Sequence, residues 1–222
     1  MSLETPATAE PFELAETAAT AAPPPGTTIG RLSFLAAAVF LLAYSGVILS
    51  AFGVQFIGQE LPCPLCMLQR TAMMLICVGP MWLIALAKRG ELTVAAYASA
   101  YGLSILGALF GGAVATRQIL LHIAPVPAGE PTGYGSAVLG FHLYTWALVT
   151  FFVVIVFCAI MMLFAQATLP VVAQSGFMRS FATFTQWFFI LIVIANIIMV
   201  ICLVGDAPLI PDDPTGYALF DR

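Results

Sequence analysis

Two cysteines three residues apart are the part of this sequence best suited to chemistry. Cys63 and Cys66 lie in the segment 61–70 (LPCPLCMLQR), where Pro62 and Pro64 favour the start of a helix. A thiol in the first turn of a helix meets unpaired backbone N–H groups and the positive end of the helix dipole, which favour the thiolate. The spacing therefore predicts a redox pair with Cys66 as the reactive thiol, and a fixed disulfide or two packed thiols is the structural alternative.

The elements that carry this pair must lie in a membrane. Of the 222 residues, 61% are apolar and 8% are charged, whereas a soluble protein is about half apolar and about a quarter charged. Five apolar stretches long enough to span occur at about 32–57, 65–87, 93–121, 140–164 and 185–204. In lipid such stretches must be helical, and short connections make sequential helices antiparallel neighbours. We expect an all-α, polytopic membrane bundle surrounded by lipid.

The chain divides into four regions by composition. Residues 1–30 are rich in Ala, Thr, Pro and Glu and contain no Lys or Arg, which predicts a disordered tail and an uncleaved first helix rather than a signal peptide. Residues 31–165 are expected to form a four-helix core, and residues 166–204 a cytoplasmic loop and a fifth membrane helix. Residues 205–222 form the predicted C-terminal tail, which is acidic.

Charge near the helix ends predicts the orientation. The basic residues fall on one side if all five stretches span: Arg31, Lys88, Arg89 and Arg179. That side is expected to be the cytoplasm, so the N-terminus is cytoplasmic and the C-terminus and the cysteine pair are periplasmic in a bacterial inner membrane. The periplasm is oxidising and permits disulfides. The formal net charge of −4 and the scattered basic residues exclude a nucleic-acid partner.

Further polar side chains approach the same outer boundary. Arg70 follows Cys66 by four residues, so a helix places both on one face, and an arginine in a membrane segment is costly unless it meets a partner. The ends of the third and fourth helices add a second set, for which interfacial anchoring is the alternative: Arg117, Gln118, His122 and His142.

Three other features have simpler interpretations. Cysteine and histidine near one face suggest a zinc or copper site, but the two histidines do not form a short ligand motif. The remaining cysteines, at positions 77, 158 and 202, lie in apolar runs and are expected to pack. The segments 130–134 and 213–217 both end in Pro-Thr-Gly-Tyr, and two independent surface turns are the simplest interpretation.

Three motifs together resemble the DsbB family of disulfide-bond formation proteins. They are C-x-x-C-x-x-x-R at 63–70, A-x-R-Q-x-x-x-H at 115–122 and G-x-H-L-Y-T-W at 140–146. The resemblance covers about 32–165 and implies a four-helix core that passes electrons to bound ubiquinone or menaquinone and reoxidises a periplasmic DsbA-like thiol oxidase. It implies that Cys63 takes the mixed disulfide, Cys66 engages the quinone ring and Arg70 holds a quinone oxygen. The expected quinone-site residues are Cys66, Arg70, Arg117, Gln118, His122 and His142.

Two features depart from that family's pattern. Residues 122–139 contain no cysteine, whereas the family's outer loop carries a second pair that receives electrons from DsbA. Either a partner's thiols attack the Cys63–Cys66 disulfide directly or another protein supplies the missing pair. The fifth helix could clasp the bundle or dock onto a larger membrane complex. An accessory subunit of a respiratory or metalloenzyme complex is therefore the main alternative function, and a periplasmic-face metal-handling protein is the third.

Overall fold

The computed structural model describes residues 28–124, 133–135, 137–170, 176–206, 210 and 214–220. The helices in this part of the chain are α1 (Thr28–Phe56), α2 (Pro64–Arg89), α3 (Val94–Leu121), α4 (Leu143–Leu163), α5 (Ala165–Thr168) and α6 (Gly176–Val204), and the strands are β1 (Ala137–Val138) and β2 (Phe141–His142). All helices except the short α5 are long and apolar enough to cross a membrane. The predicted all-α membrane bundle is confirmed.

Two helices begin earlier than the apolar stretches indicated. Helix α1 begins at Thr28 and α6 begins at Gly176, against predicted starts near 32 and 185. The first turns of α6 carry polar side chains that an apolar window omits, and α2 provides their partner. Lys88 Nζ donates to Thr183 Oγ1 over 2.7 Å and to Gln186 Oε1 over 3.0 Å. Most of the predicted disordered tail, residues 1–27, lies outside the described residues.

A small hairpin precedes α4 where the sequence predicted only a loop. Strands β1 and β2 pair antiparallel, and the two residues between them, Leu139 and Gly140, have φ values of 52° and 83°. Two consecutive positive φ values suit a tight two-residue hairpin turn. Trp146 Nε1 donates to the Val138 carbonyl over 2.9 Å, so the first turn of α4 holds the hairpin in place.

Close packing joins α2 to α3. Pro80 lies inside α2 and has no N–H to donate to the Ile76 carbonyl. Ser104 of α3 donates its hydroxyl to that carbonyl over 2.8 Å, which satisfies a backbone acceptor that lipid could not. Gly79 lies against Ala100 and Ser104, so the two backbones approach closely at a residue without a side chain.

The order of the helices around the bundle places the additional helix outside. Helix α2 packs between α1 and α3, α3 packs against α4, and α6 packs on α1. Helices α1 and α4 meet through long side chains, since Tyr44 donates to the Thr150 carbonyl over 3.4 Å and the rings of Phe40 and Phe157 stack 5.6 Å apart. The bundle therefore has a core of α1 to α4, and α6 lies on the outer face of α1.

Candidate redox site

Cys63 and Cys66 lie at the start of α2, with the local geometry that the prolines favour. Cys63 is the N-cap residue and Pro64 is the first helical residue, where a missing N–H costs nothing. The Cys63 sulfur accepts a hydrogen bond from the Cys66 backbone N–H over 3.2 Å. The Sγ atoms of the two free thiols are 2.7 Å apart, so a disulfide can form between them without a change of fold.

The two thiols differ in their surroundings. Cys63 is 6% exposed, and the hydrogen bond between the two side chains, together with burial, raises the pKa of the Cys63 thiol above its usual range. Cys66 is half-buried and is the third residue of α2, close to the unpaired N–H groups of the helix start. The pair therefore holds one proton firmly on Cys63, and Cys66 is the member suited to be the thiolate.

A buried amide of α3 faces both sulfurs. Gln118 is 1% exposed, and its Nε2 group donates to the Sγ atoms of Cys63 and Cys66, each over 3.5 Å. Gln69 of α2 donates to Gln118 Oε1 over 2.7 Å. Because the oxygen of Gln118 is held by Gln69, its NH₂ group points at the pair, where N–H donors stabilise a thiolate.

Arg70 is a buried cation with neutral partners. Its side chain is 7% exposed and donates to Gln55 Oε1 over 2.8 Å and to the Ala51 carbonyl over 3.0 Å, both on α1. The guanidinium carbon also lies 5.4 Å from the centre of the Phe52 ring. No carboxylate pairs with Arg70 among the described residues. A desolvated cation that is held by neutral oxygens in the described part of the chain suits an anionic or strongly polar ligand atom.

Two cavities meet at the cysteine pair. The first, which we call the Arg70 cavity, has a volume of about 290 Å³ and lies between α1, α2 and α4. Its wall is mostly apolar, with Cys66, Arg70 and Glu60 among its polar members. The second, the Cys63 cavity, has a volume of about 460 Å³. Its lining residues are Cys63, Pro64, Leu65, Arg117, Gln118, Leu121, His122 and Tyr134.

Residues 31–132 match the family model of disulfide bond formation protein DsbB. This stretch is similar to the DsbB family. The match confirms the resemblance for α1, α2 and α3, and it ends before α4, α6 and the C-terminal tail. No curated protein and no solved structure matches the chain.

The DsbB-like segment holds most of the residues predicted for the quinone site, and the structure divides them between the two cavities. Cys66 and Arg70 line the Arg70 cavity, whereas Arg117, Gln118 and His122 line the Cys63 cavity. Gln118 reaches Cys66 as well, because its side chain lies between the two sulfurs and Gln69. The predicted set thus surrounds the cysteine pair from two sides.

The two histidines belong to an aromatic stack. His122 follows the last residue of α3, and His142 precedes the first residue of α4. The ring of each histidine stacks on Tyr144, at 5.5 Å and 5.2 Å between ring centres. His142, which lines neither cavity, also has its Nδ1 3.0 Å from the Gly135 carbonyl. In the described part of the chain no three His, Cys, Asp or Glu side chains are grouped to hold a metal, so the metal hypothesis gains no support there.

Three residues of the site were missed by the sequence prediction. Gln55 and Gln69 contact Arg70 and Gln118, and Tyr134 lines both cavities while donating to the Leu61 carbonyl over 2.7 Å. An amide side chain inside an apolar run was the available signal for the two glutamines, because such groups need partners in lipid. The signal for Tyr134 was the repeated Pro-Thr-Gly-Tyr segment, interpreted as a surface turn.

Proposed function

We propose that this protein is a membrane thiol:quinone oxidoreductase. In this proposal the Cys63–Cys66 disulfide takes two electrons from a periplasmic DsbA-like dithiol protein and passes them to ubiquinone or menaquinone. The observation that carries the proposal is the position of the pair between two cavities, with Cys63 lining one and Cys66 lining the other. Two different reactants can therefore approach one disulfide from two sides.

The Cys63 cavity suits the electron donor. A donor thiolate would attack Cys63 Sγ, forming a mixed disulfide and releasing Cys66 as a thiolate. The second donor thiol would then attack the donor's own sulfur in that bond, leaving the donor oxidised and Cys63 reduced. Gln118 would stabilise the Cys66 thiolate through its NH₂ group, 3.5 Å from Cys66 Sγ. The pair then holds both electrons and one proton, with the proton on Cys63 and Cys66 as the thiolate.

The Arg70 cavity suits the electron acceptor. Its mostly apolar wall fits a flat hydrophobic ring, and the buried guanidinium, which lacks a carboxylate partner among the described residues, fits a carbonyl oxygen of that ring. Bound quinone would act as the acceptor of two electrons and two protons. Cys66 would face the ring as thiolate, and Arg70 would hold the oxygen on which negative charge develops. The Cys63–Cys66 disulfide would re-form as two electrons pass to the quinone, which would take up the Cys63 proton and a second proton from solvent.

The chain carries no cysteine between residues 122 and 139, so the donor must reach Cys63 without an internal relay. Direct attack is favoured by the size of the Cys63 cavity, about 460 Å³, which is formed by the ends of α2 and α3. The polar lining at Arg117 and His122 suits a protein surface more than a lipid tail. We therefore propose that the donor protein inserts its reactive thiol beside Cys63.

Rapid mixing of the purified protein with ubiquinone-1 tests the proposal, with a reduced DsbA-like protein or dithiothreitol as donor. Wild type should reduce quinone, and Cys66→Ser should abolish turnover because no disulfide can form. Cys202→Ser is the matched control, since Cys202 lies on α6 away from both cavities, and it should keep full turnover. Absence of cysteine-dependent turnover in folded protein would contradict the proposal and favour an accessory subunit, recognised by copurification at fixed stoichiometry.

A further inference from the structure

The C-terminal segment returns to the bundle at the same end as the cysteine pair. Beyond α6, residues 214–220 are described, and Pro214 within them is buried. Leu219 donates its backbone N–H to the Cys202 carbonyl over 3.2 Å, and Phe220 donates to the Tyr217 carbonyl over 2.8 Å. The segment is therefore folded against the last turn of α6, which itself packs on α1.

Tyr217 connects this segment to the redox site. Its hydroxyl accepts a hydrogen bond from Gln55 Nε2 over 3.3 Å, across 162 residues of sequence. The other end of the same amide, Gln55 Oε1, accepts from Arg70 over 2.8 Å. Gln55 is 2% exposed, so water is not available to replace either partner. The result is a continuous chain of contacts from Tyr217 through Gln55 to Arg70.

We propose that Tyr217 is a positioning residue for the acceptor side of the site: it lines neither cavity, and the C-terminal segment acts on Arg70 through Gln55. The inference rests on the proposed quinone reductase function and adds a role for the part of the chain outside the DsbB-like match. Gln55 presents its oxygen to Arg70 only while its NH₂ group is satisfied elsewhere, and Tyr217 is that partner. Arginine has several rotatable bonds, so its position depends on such fixed acceptors.

Each of the two Pro-Thr-Gly-Tyr segments ends in a tyrosine that contacts a residue next to the redox site. Tyr134 donates to the Leu61 carbonyl, two residues before Cys63, and lines both cavities. Tyr217 accepts from Gln55 on α1, next to the Arg70 guanidinium. Each tyrosine thus holds one flank of the site, one at the entry to α2 and one at the end of α1.

The test compares full-length wild type, Tyr217→Phe and Phe220→Leu in the ubiquinone-1 assay. Tyr217→Phe keeps the ring and removes the hydroxyl, and it should raise the KM for quinone about 3- to 10-fold with a smaller effect on kcat. Reduction of the disulfide by the donor in the absence of quinone should be unchanged, because the Cys63 cavity is not altered. Phe220→Leu changes an exposed neighbour and should behave as wild type.

A second measurement separates this inference from the proposed function. Phenylglyoxal modifies accessible arginine, and mass spectrometry reports its reaction at Arg70 whether or not the protein turns over. Tyr217→Phe should increase the labelling of Arg70, and Gln55→Leu should do the same. If wild type does not reduce quinone but Tyr217→Phe still increases the labelling of Arg70, the positioning role stands and the quinone reductase function fails. If Tyr217→Phe changes neither the quinone KM nor the labelling, the positioning role is wrong.

Discussion

Gln69 of α2 donates to Gln118 Oε1 of α3 over 2.7 Å, so the Gln118 amide nitrogen is the end that lies nearer the cysteine sulfurs, with Oε1 4.0 Å from Cys66 Sγ. With its oxygen engaged, Gln118 presents NH₂ to both sulfurs at 3.5 Å. Both glutamines are buried, so the pair of amides is fixed by its own hydrogen bonds. A reduced cysteine pair therefore meets donors that stabilise negative charge on sulfur.

Gln118→Leu should make the Cys63–Cys66 pair harder to reduce. A hydrogen bond to a charged group contributes about 1.5–3 kcal/mol, which corresponds to a reduction potential lower by about 30–60 mV for a two-electron couple. Equilibration with dithiothreitol mixtures measures this shift. Gln69→Leu should lower the reduction potential by less, because it removes the hydrogen bond that holds the Gln118 amide but leaves that amide in place.

Gln166→Leu is the control for these two variants, since Gln166 lies exposed on α5 and should leave the potential unchanged. An unaltered potential in Gln118→Leu would contradict a role for the amide in stabilising the reduced pair. It would leave Gln118 as a packing residue of α3.

The sequence predicted Cys63, Cys66 and Arg70 because their relationship is local. A four-residue spacing on one helix fixes the relative position of two side chains, and the prolines mark where that helix begins. The role of Gln69 depends instead on which residue of α3 lies opposite it, and that of Gln55 depends on Tyr217, 162 residues away. Such relationships arise from tertiary packing, which a local pattern does not contain.

The fold was predictable to a similar degree and for a similar reason. Length and apolar composition suffice to identify spanning helices, because lipid permits few other structures. Composition does not show where a helix continues beyond the apolar region, as α6 does from Gly176 through Thr183, whose hydroxyl accepts a hydrogen bond from Lys88. Nor does it show that the hairpin at Leu139 and Gly140 precedes α4.

Arg70 should be replaceable by neither lysine nor methionine. Lysine keeps the charge but has a single nitrogen, and it lacks the planar fork with which two guanidinium nitrogens reach Gln55 Oε1 and the Ala51 carbonyl. We expect Arg70→Lys and Arg70→Met each to raise the KM for ubiquinone-1 by about tenfold or more, since a directed, charged hydrogen bond is lost. Steady-state kinetics over a range of quinone concentrations measure the change.

The donor half-reaction supplies the check on the Arg70 variants. Reduction of the Cys63–Cys66 disulfide by dithiothreitol should proceed at the wild-type rate, because Arg70 does not line the Cys63 cavity. Arg89→Lys, an exposed substitution at the far end of α2, should change neither reaction. An Arg70→Met variant with a wild-type quinone KM would refute the assignment of Arg70 to the acceptor.

Gly79→Ala should weaken the contact between α2 and α3. A methyl group at Gly79 would overlap the Ala100 backbone carbonyl and Ser104 Oγ, so the helices must separate, at a cost of about 1–3 kcal/mol. Thermal unfolding in detergent, followed by circular dichroism, should show a lower Tm. Gly102→Ala is the matched variant, because nothing lies within 4 Å of its added methyl group, and its Tm should not fall. Equal Tm values for the two variants would contradict the packing of α2 on α3.

The reduced protein should keep the Cys63 thiol protonated through neutral pH. The hydrogen bond with Cys66, and secondarily burial, raises the pKa of Cys63, so the folded state holds this proton more tightly than the unfolded chain does. The resulting stabilisation is complete below the ordinary thiol pKa of about 8.5 and is lost as pH rises above it. Iodoacetamide labelling of Cys63 in a thiol-free reductant, quantified by mass spectrometry, tests this. The labelling rate plotted against pH should show no inflection between about pH 6 and 8.5. Cys66→Ala removes the largest cause of the raised Cys63 pKa, so the inflection in Cys63 labelling should move to lower pH in that variant. A wild-type inflection near neutral pH would refute the prediction.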